Sequence, residues 1–148
     1  MSKKILIKKI IKPFNKTIEI EGDKSLSIRW ALLASQAIGK STSMNLLKSQ
    51  DVLSTLKCLK KLGVKVHMNK KKCEILGMGI NGYNYKKNIV LNAGNSGTLA
   101  RLIMGLLIHT KNEIKIIGDK SLSKRDFYRI TKPLNKFGAK FKTNSGKL

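Results

Sequence analysis

Hydrophobic positions along the chain change spacing several times, and each change predicts an element. Residues 5–11 and 17–20 are β-branched and partly alternating, which predicts two short strands with Pro13 and Asn15 in the turn between them. The run at 28–38, IRWALLASQAI, is apolar enough for a buried helix, with Ser25 or Ser27 placed to cap its start and Gly39 to end it. A strand is expected at 43–47. Asp51 then opens a second helix in which Val52, Leu53, Leu56, Leu59 and Leu62 keep helical spacing and Gly63 closes the last turn. Residues 64–68 and 73–76 read as a strand pair.

The pattern then repeats. Asp51 and Gly63 recur 75 positions later as Asp126 and Gly138, and Gly-Val-Lys-Val at 63–66 is matched by Gly-Ala-Lys-Phe at 138–141. Upstream, 98–108 is a second apolar helix carrying Arg101 near its start, as the first carries Arg29, and 113–117 supplies the following strand. The helix opened by Asp126 has Phe127, Ile130, Leu134 and Phe137 on one face, and Pro133 inside it predicts a kink. Asp51 and Asp126 read as helix caps. Only 77–88, with three glycines, is loop-like, and no Gly/Ser-rich linker divides the chain. The organisation expected is a pair of N-terminal strands at 1–21, a first repeat subdomain at 22–87 and a second, truncated one at 88–148. The strand after Gly138 lacks the partner that 73–76 provides in the first unit, which leaves an unpaired edge suited to self-association.

Composition narrows the classes. The longest apolar run, 102–108, is short and broken by Gly105, far below the roughly 18 residues of a membrane span, and the basic N-terminus lacks the apolar core of an export signal. A soluble, cytoplasmic protein is expected. Cys58 and Cys73 lie fifteen positions apart without a CxxC pair, and with only His67 and His109 in the chain they do not make a zinc site; Cys58 reads as a small buried hydrophobe. The net charge of +23 would suit a nucleic-acid-binding module. Only four of the 31 basic residues are arginines, however, and base-reading surfaces lean on arginine, so a lysine-rich solvated surface is the preferred reading. That field still draws small phosphorylated anions.

Three segments concentrate the chemistry. Gly22-Asp23-Lys24-Ser25-Leu26-Ser27-Ile28-Arg29 runs into the first helix, where backbone N–H groups, the mobile Lys24 ammonium and the Arg29 fork favour phosphate. Leu91-Asn92-Ala93-Gly94-Asn95-Ser96-Gly97-Thr98 places two glycines where a backbone can approach a ligand, with Asn95 and Thr98 at the helix start. Its spacing is neither the dinucleotide GxGxxG nor the P-loop, so nucleotide binding is set aside. Gly118-Asp119-Lys120-Ser121-Leu122-Ser123-Lys124-Arg125 repeats GDKSLS 96 residues after its first occurrence, in a different slot of the repeat.

The strings GDKSLSIRWALLASQAIGKS, QDVLSTLKCLKKLGVKV, LNAGNSGTLARLIMGLL and GDKSLSKR, in this order and spanning about 9–141, resemble the enolpyruvyl transferases, specifically the 5-enolpyruvylshikimate-3-phosphate synthase (3-phosphoshikimate 1-carboxyvinyltransferase) family. The sister family acting on UDP-N-acetylglucosamine is the alternative, but it typically has Lys-Asn where this chain has Lys24-Ser25. The resemblance implies an α/β (α+β) fold of repeated strand-helix subdomains, an inside-out α/β barrel that is incomplete here. It implies an enzyme of the shikimate pathway of aromatic amino acid biosynthesis, transferring the carboxyvinyl group of phosphoenolpyruvate to the 5-hydroxyl of shikimate 3-phosphate and releasing phosphate. No metal or organic cofactor is implied. By matching position, Lys24 contacts both substrates, Ser25 and Arg29 contact shikimate 3-phosphate, Asn95, Gly97 and Thr98 form the loop beside phosphoenolpyruvate, and Arg125 binds its anion. Family members are much longer, so the acid/base residues are expected in a C-terminal part beyond this chain, which alone is expected to be inactive. Asp126-Phe127 departs from the family's proline and methionine after the arginine, setting a negative charge beside Arg125.

Overall fold

In the computed structural model the described residues are 6, 8, 10, 12–110, 112–143 and 146. The expected strand at 5–11 lies largely outside them. The one at 17–20 does not form: 12–23 has no regular structure, and Phe14, Ile18 and Ile20 are exposed. A strand needs a partner for its N–H and C=O groups, and here the segment's described link is a single bond from Asn45 Nδ2 to the Ile20 carbonyl, 3.2 Å.

Helix α1 (Lys24–Gln36) begins four residues earlier than expected, because Asp23 rather than a serine caps it: Oδ1 accepts the Leu26 N–H at 2.7 Å. Ser27 has a different task, accepting the Leu47 N–H at 3.2 Å and fastening the chain beyond the first strand to α1. Gly39 does not end the helix. The chain passes through Ala37 directly into β1 (Ile38–Met44), not 43–47, with Gly39 at φ +91 inside the strand. The inward positions of β1 are Gly39, Ser41 and Ser43, so its alternation is one of size rather than hydrophobicity.

Helix α2 (Gln50–Lys61) is capped by Ser49, whose Oγ accepts from the Val52 N–H at 3.5 Å; Asp51 sits in its first turn and is not the cap. Strands β2 (Lys65–Met68) and β3 (Lys72–Met78) form the expected antiparallel pair, and β3 lies between β1 and β2 in an antiparallel sheet. Gly77 allows the end of α1 to rest on this sheet, since a Cβ there would meet the Ala37 and Ala34 carbonyl oxygens at 2.2 and 2.4 Å.

The second half is built differently. Strand β4 (Ile89–Asn92), too short to stand out in the sequence, pairs in parallel with β5 (Ile114–Ile117), and α3 (Gly97–Leu106) is the crossover that parallel pairing demands. Helix α2 joins the two sheets: Cys58 Sγ lies 3.4 Å from the Asn92 carbonyl and Lys61 Nζ 2.9 Å from that of Val90. One hydrophobic core therefore runs from Ile28, Leu56, Leu59 and Ile75 through to Leu91, Leu99, Leu122 and Phe127. After a short 3-10 turn (Leu122–Lys124), α4 (Tyr128–Lys136) contains Pro133 and starts two residues beyond Asp126, whose Oδ1 accepts the Tyr128 N–H at 2.8 Å. Phe127 is fully buried, but Phe137 is 81 % exposed. Residues 139–143 form no strand, so the expected unpaired edge is absent among the described residues.

The 75-residue repeat is exact where α2 and α4 end. Gly63 and Gly138 have φ +90 and +89, and the bonds Val64 N–H to Leu59 C=O (3.0 Å) and Ala139 N–H to Leu134 C=O (3.2 Å) are the same αL closure. Their surroundings differ: a Cβ on Gly63 would lie 2.3 Å from the Asn84 carbonyl oxygen, whereas on Gly138 it would meet nothing. Urea denaturation should show Gly138→Ala costing about 1 kcal/mol, the left-handed strain alone, and Gly63→Ala at least about 2 kcal/mol. Burial, opposed weakly by Lys61, pushes the Cys58 thiol up to about 11. Its neutral form is thus favoured by the fold, and that contribution is whole below the ordinary 9.0 and lost as pH climbs toward about 11. At pH 8 a thiol reagent should label Cys58 far more slowly in the native chain than in guanidinium.

Candidate anion-binding site

The first turn of α1 carries three of the candidate residues. Lys24 Nζ lies 3.3 Å from Asp51 Oδ2 in the first turn of α2, an ion pair half open to water on the lysine side. Ser25 is half-buried and Arg29 exposed, and among the described residues neither side chain is hydrogen-bonded. Among the described residues, then, no hydrogen bond commits the guanidinium of Arg29 or the hydroxyl of Ser25 to the fold.

The second group forms around the start of α3. Buried Ser96 caps the helix, accepting the Leu99 N–H at 3.2 Å through Oγ, and its carbonyl takes the Ala100 N–H. The N–H groups of Gly97 and Thr98 have no intrahelical acceptor, as the first positions of any helix do not. Two guanidinium groups close on this point: a Cβ on Gly97 would lie 2.7 Å from Arg125 Nη1 and 2.8 Å from Arg101 Nη1. Arg125 Nη2 donates to Asn95 Oδ1 at 3.1 Å. Arg101 donates weakly to the Gly97 and Asp126 carbonyls, 3.5 and 3.3 Å, and stacks over Phe127 at 5.1 Å from the ring centre. Thr98 is half-buried with a hydroxyl that makes no bond among the described residues. A helix N-terminus with two guanidinium groups beside it is chemistry that suits a small anion.

The two groups are connected through α2. Asp51 holds Lys24, and one turn on Ser54 Oγ lies 3.1 Å from where a Cβ on Gly94 would be, just ahead of Asn95. The starts of α1, α2 and α3 therefore gather at one end of the molecule. Asn95, Gly97, Thr98 and Arg125 lie together at the start of α3, Lys24 is linked to them by way of α2, and Ser25 and Arg29 make no hydrogen bond to that cluster among the described residues. At the departure from the family pattern, the Asp126 carboxylate turns to the Tyr128 N–H, and no ion pair with Arg125 is found among the described residues. A cleft of about 480 Å3 opens nearby between the chain after β1 and the β2–β3 turn, with Glu21, Lys48, Ser49 and Lys70 in its walls. None of the candidate residues lines it.

Sequence reasoning left out two participants. Arg101 was legible only as a helix residue, since nothing in spacing says that it folds back over Gly97. Asp119 was legible only as part of a repeated hexapeptide; it accepts from Asn95 Nδ2 through Oδ2 at 2.6 Å, a contact between loops 24 residues apart.

A family model for EPSP synthase (3-phosphoshikimate 1-carboxyvinyltransferase) matches residues 8–148. The chain belongs to the EPSP synthase family. Curated relatives named 3-phosphoshikimate 1-carboxyvinyltransferase include one from Ruthia magnifica subsp. Calyptogena magnifica, 42% identical over 142 residues covering 94% of this chain and 32% of the relative. Another, from Streptococcus pyogenes serotype M2, is 44% identical over 126 residues, 85% of this chain and 29% of the relative. The solved EPSP synthase from Acinetobacter baumannii superposes with a TM-score of 0.81 at 34% identity, over 88% of this chain and 30% of that one. The mixed helix-strand architecture is thus the EPSP synthase fold in part, and the chain spans about a third of the length of the curated relatives it matches. Among the described residues no helix is long and apolar enough to cross a membrane.

The glycine at the centre of the site gives a direct test. An added methyl at Gly97 presses on the ends of two flexible side chains rather than on backbone. Gly97→Ala should therefore leave the unfolding midpoint nearly unchanged while displacing the guanidinium groups, weakening binding of a small phosphorylated anion by about 1.5 kcal/mol, roughly tenfold, in a calorimetric titration.

Proposed function

We propose that this chain supplies the part of an EPSP synthase that grips the anionic groups of its two substrates in the transfer of a carboxyvinyl group from phosphoenolpyruvate to the 5-hydroxyl of shikimate 3-phosphate. The observation that carries the reading is the approach of the Arg125 and Arg101 guanidinium groups to Gly97 in the first turn of α3, with Arg125 bonded to Asn95. Arg125, Asn95, Gly97 and Thr98 take phosphoenolpyruvate. Lys24, Ser25 and Arg29, at the start of α1, take shikimate 3-phosphate, with Lys24 between the two.

Two polyanions repel each other, and bringing the attacking hydroxyl to the phosphate-bearing carbon of phosphoenolpyruvate, from which phosphate then departs, requires that repulsion to be neutralised and the pair to be oriented. Guanidinium groups and backbone donors already gathered at the site do this with little reorganisation when the substrates arrive. Lys24 has to exchange one partner for another, leaving Asp51 for a substrate oxygen. Because the Lys24–Asp51 pair is half exposed, its rupture costs little. The same reading makes the chain a cytoplasmic biosynthetic component, divided near residue 88 between the α1–α2 unit and the α3–α4 unit.

Calorimetric titration with shikimate 3-phosphate is expected to give saturable binding, weakened at least about fivefold by Lys24→Ala and by Arg29→Ala, as the loss of one charge-assisted hydrogen bond demands. Saturable binding that neither substitution alters would remove the assignment of these residues.

A further inference from the structure

Asp119 is the second residue of the later GDKSLS hexapeptide, and its carboxylate does more than the one in the earlier copy. Both aspartates close a first turn identically, Oδ1 accepting the N–H three residues on at 2.7 Å: Leu26 for Asp23, Leu122 for Asp119. Both carbonyls also take the next N–H, Ser27 at 3.0 Å and Ser123 at 2.9 Å. Only Asp119 uses its second oxygen on a side chain among the described residues. Oδ2 receives Asn95 Nδ2 at 2.6 Å, while its backbone N–H donates to the Gly94 carbonyl at 2.8 Å.

This arrangement has a chemical direction. A carboxylate only accepts hydrogen bonds, so it requires the amide of Asn95 to present its NH2 to Asp119. The opposite end of the amide, Oδ1, then faces Arg125 Nη2 at 3.1 Å. Reversing the amide would set an oxygen against the carboxylate and an NH2 against a guanidinium, two repulsive contacts in place of two bonds. The same bonds from Asn95 and Leu122 hold the Asp119 carboxyl below its usual range, so the acceptor persists.

We propose that Asp119 is a positioning residue which, by fixing the amide orientation of Asn95, aims the Arg125 guanidinium at the anion site beside Gly97. This deepens the reading of that site as the phosphoenolpyruvate half and rests on it. Simple electrostatics points the other way, because a carboxylate near an anion site repels the ligand and its removal would tighten binding.

The test is Asp119→Asn, in which an amide oxygen can still cap Leu122 while the NH2 can face Asn95 and reverse it. Phosphoenolpyruvate titrated into the variant should bind about fivefold more weakly, in line with one lost charge-assisted bond, with the unfolding midpoint unchanged. In an Asn95→Ala background the same substitution should have no effect, since there is no amide to orient. Tighter or equal binding in the single variant, or an undiminished loss in the Asn95→Ala background, would overturn the proposal. Side-chain NMR of the ligand-free chain separates this from failure of the substrate reading. Asp119→Asn should shift the Asn95 NH2 resonances and speed rotation of the Arg125 guanidinium, whether or not phosphoenolpyruvate binds; unchanged Arg125 signals refute the positioning role by themselves.

Discussion

The first turn of a helix leaves backbone N–H groups that must find acceptors, and this requirement organises the molecule. Asp23, Ser49, Ser96 and Asp119 each receive the N–H three residues on, at 2.7, 3.5, 3.2 and 2.7 Å. Because the caps take the third position, the N–H groups just before it stay open, and at Gly97 and Thr98 they stay open beside two arginines. The residues whose N–H is capped, Val52, Leu99 and Leu122, are fully buried, so the same turns that expose donors also plant the core. Leu26 is the exception at 68 % exposed, which leaves α1 held from below through Ile28, Ala31 and Leu32.

Helix α2 converts these local turns into one site. Its apolar face, Val52, Leu56 and Leu59, is buried in the shared core, and Cys58 and Lys61 reach the carbonyls of β4. Its first two turns touch both anion-binding groups, Asp51 toward Lys24 and Ser54 toward Gly94. A helix placed this way sets the separation of the two groups by its own rigidity rather than by loops, which suits the pair of ligands proposed for them.

What could be read in the sequence was whatever rests on strong periodicity. The faces of α2 and α3, the β2–β3 pair and the glycines closing α2 and α4 were all legible, because spacing and a left-handed glycine are local properties. Strand β1 was misplaced since its inner face is Gly39, Ser41 and Ser43, and small polar residues carry no hydrophobic alternation. Asp23 was passed over as a cap in favour of nearby serines, although a carboxylate is as good an acceptor and lay at the right distance from Leu26. Segments 17–20 and 139–141 have strand composition but no partner strand among the described residues, and pairing is a long-range fact. For the candidate site, the seven residues were proposed from the resemblance to the family, whereas Arg101 and the amide link from Asp119 depend on how loops 24 and more residues apart lie together.

The Lys24–Asp51 pair makes the ligand-free site a small ion exchanger. With its own carboxylate as resident counter-ion, the lysine gives up one negative partner when it takes another, and the net change in charge pairing there is close to zero. Dissolved salt screens the contact that is lost as well as the one that is gained. On the proposed reading, binding at this lysine therefore answers less steeply to ionic strength than a chain with a formal charge of +23 would suggest, because a ligand there has to outcompete Asp51.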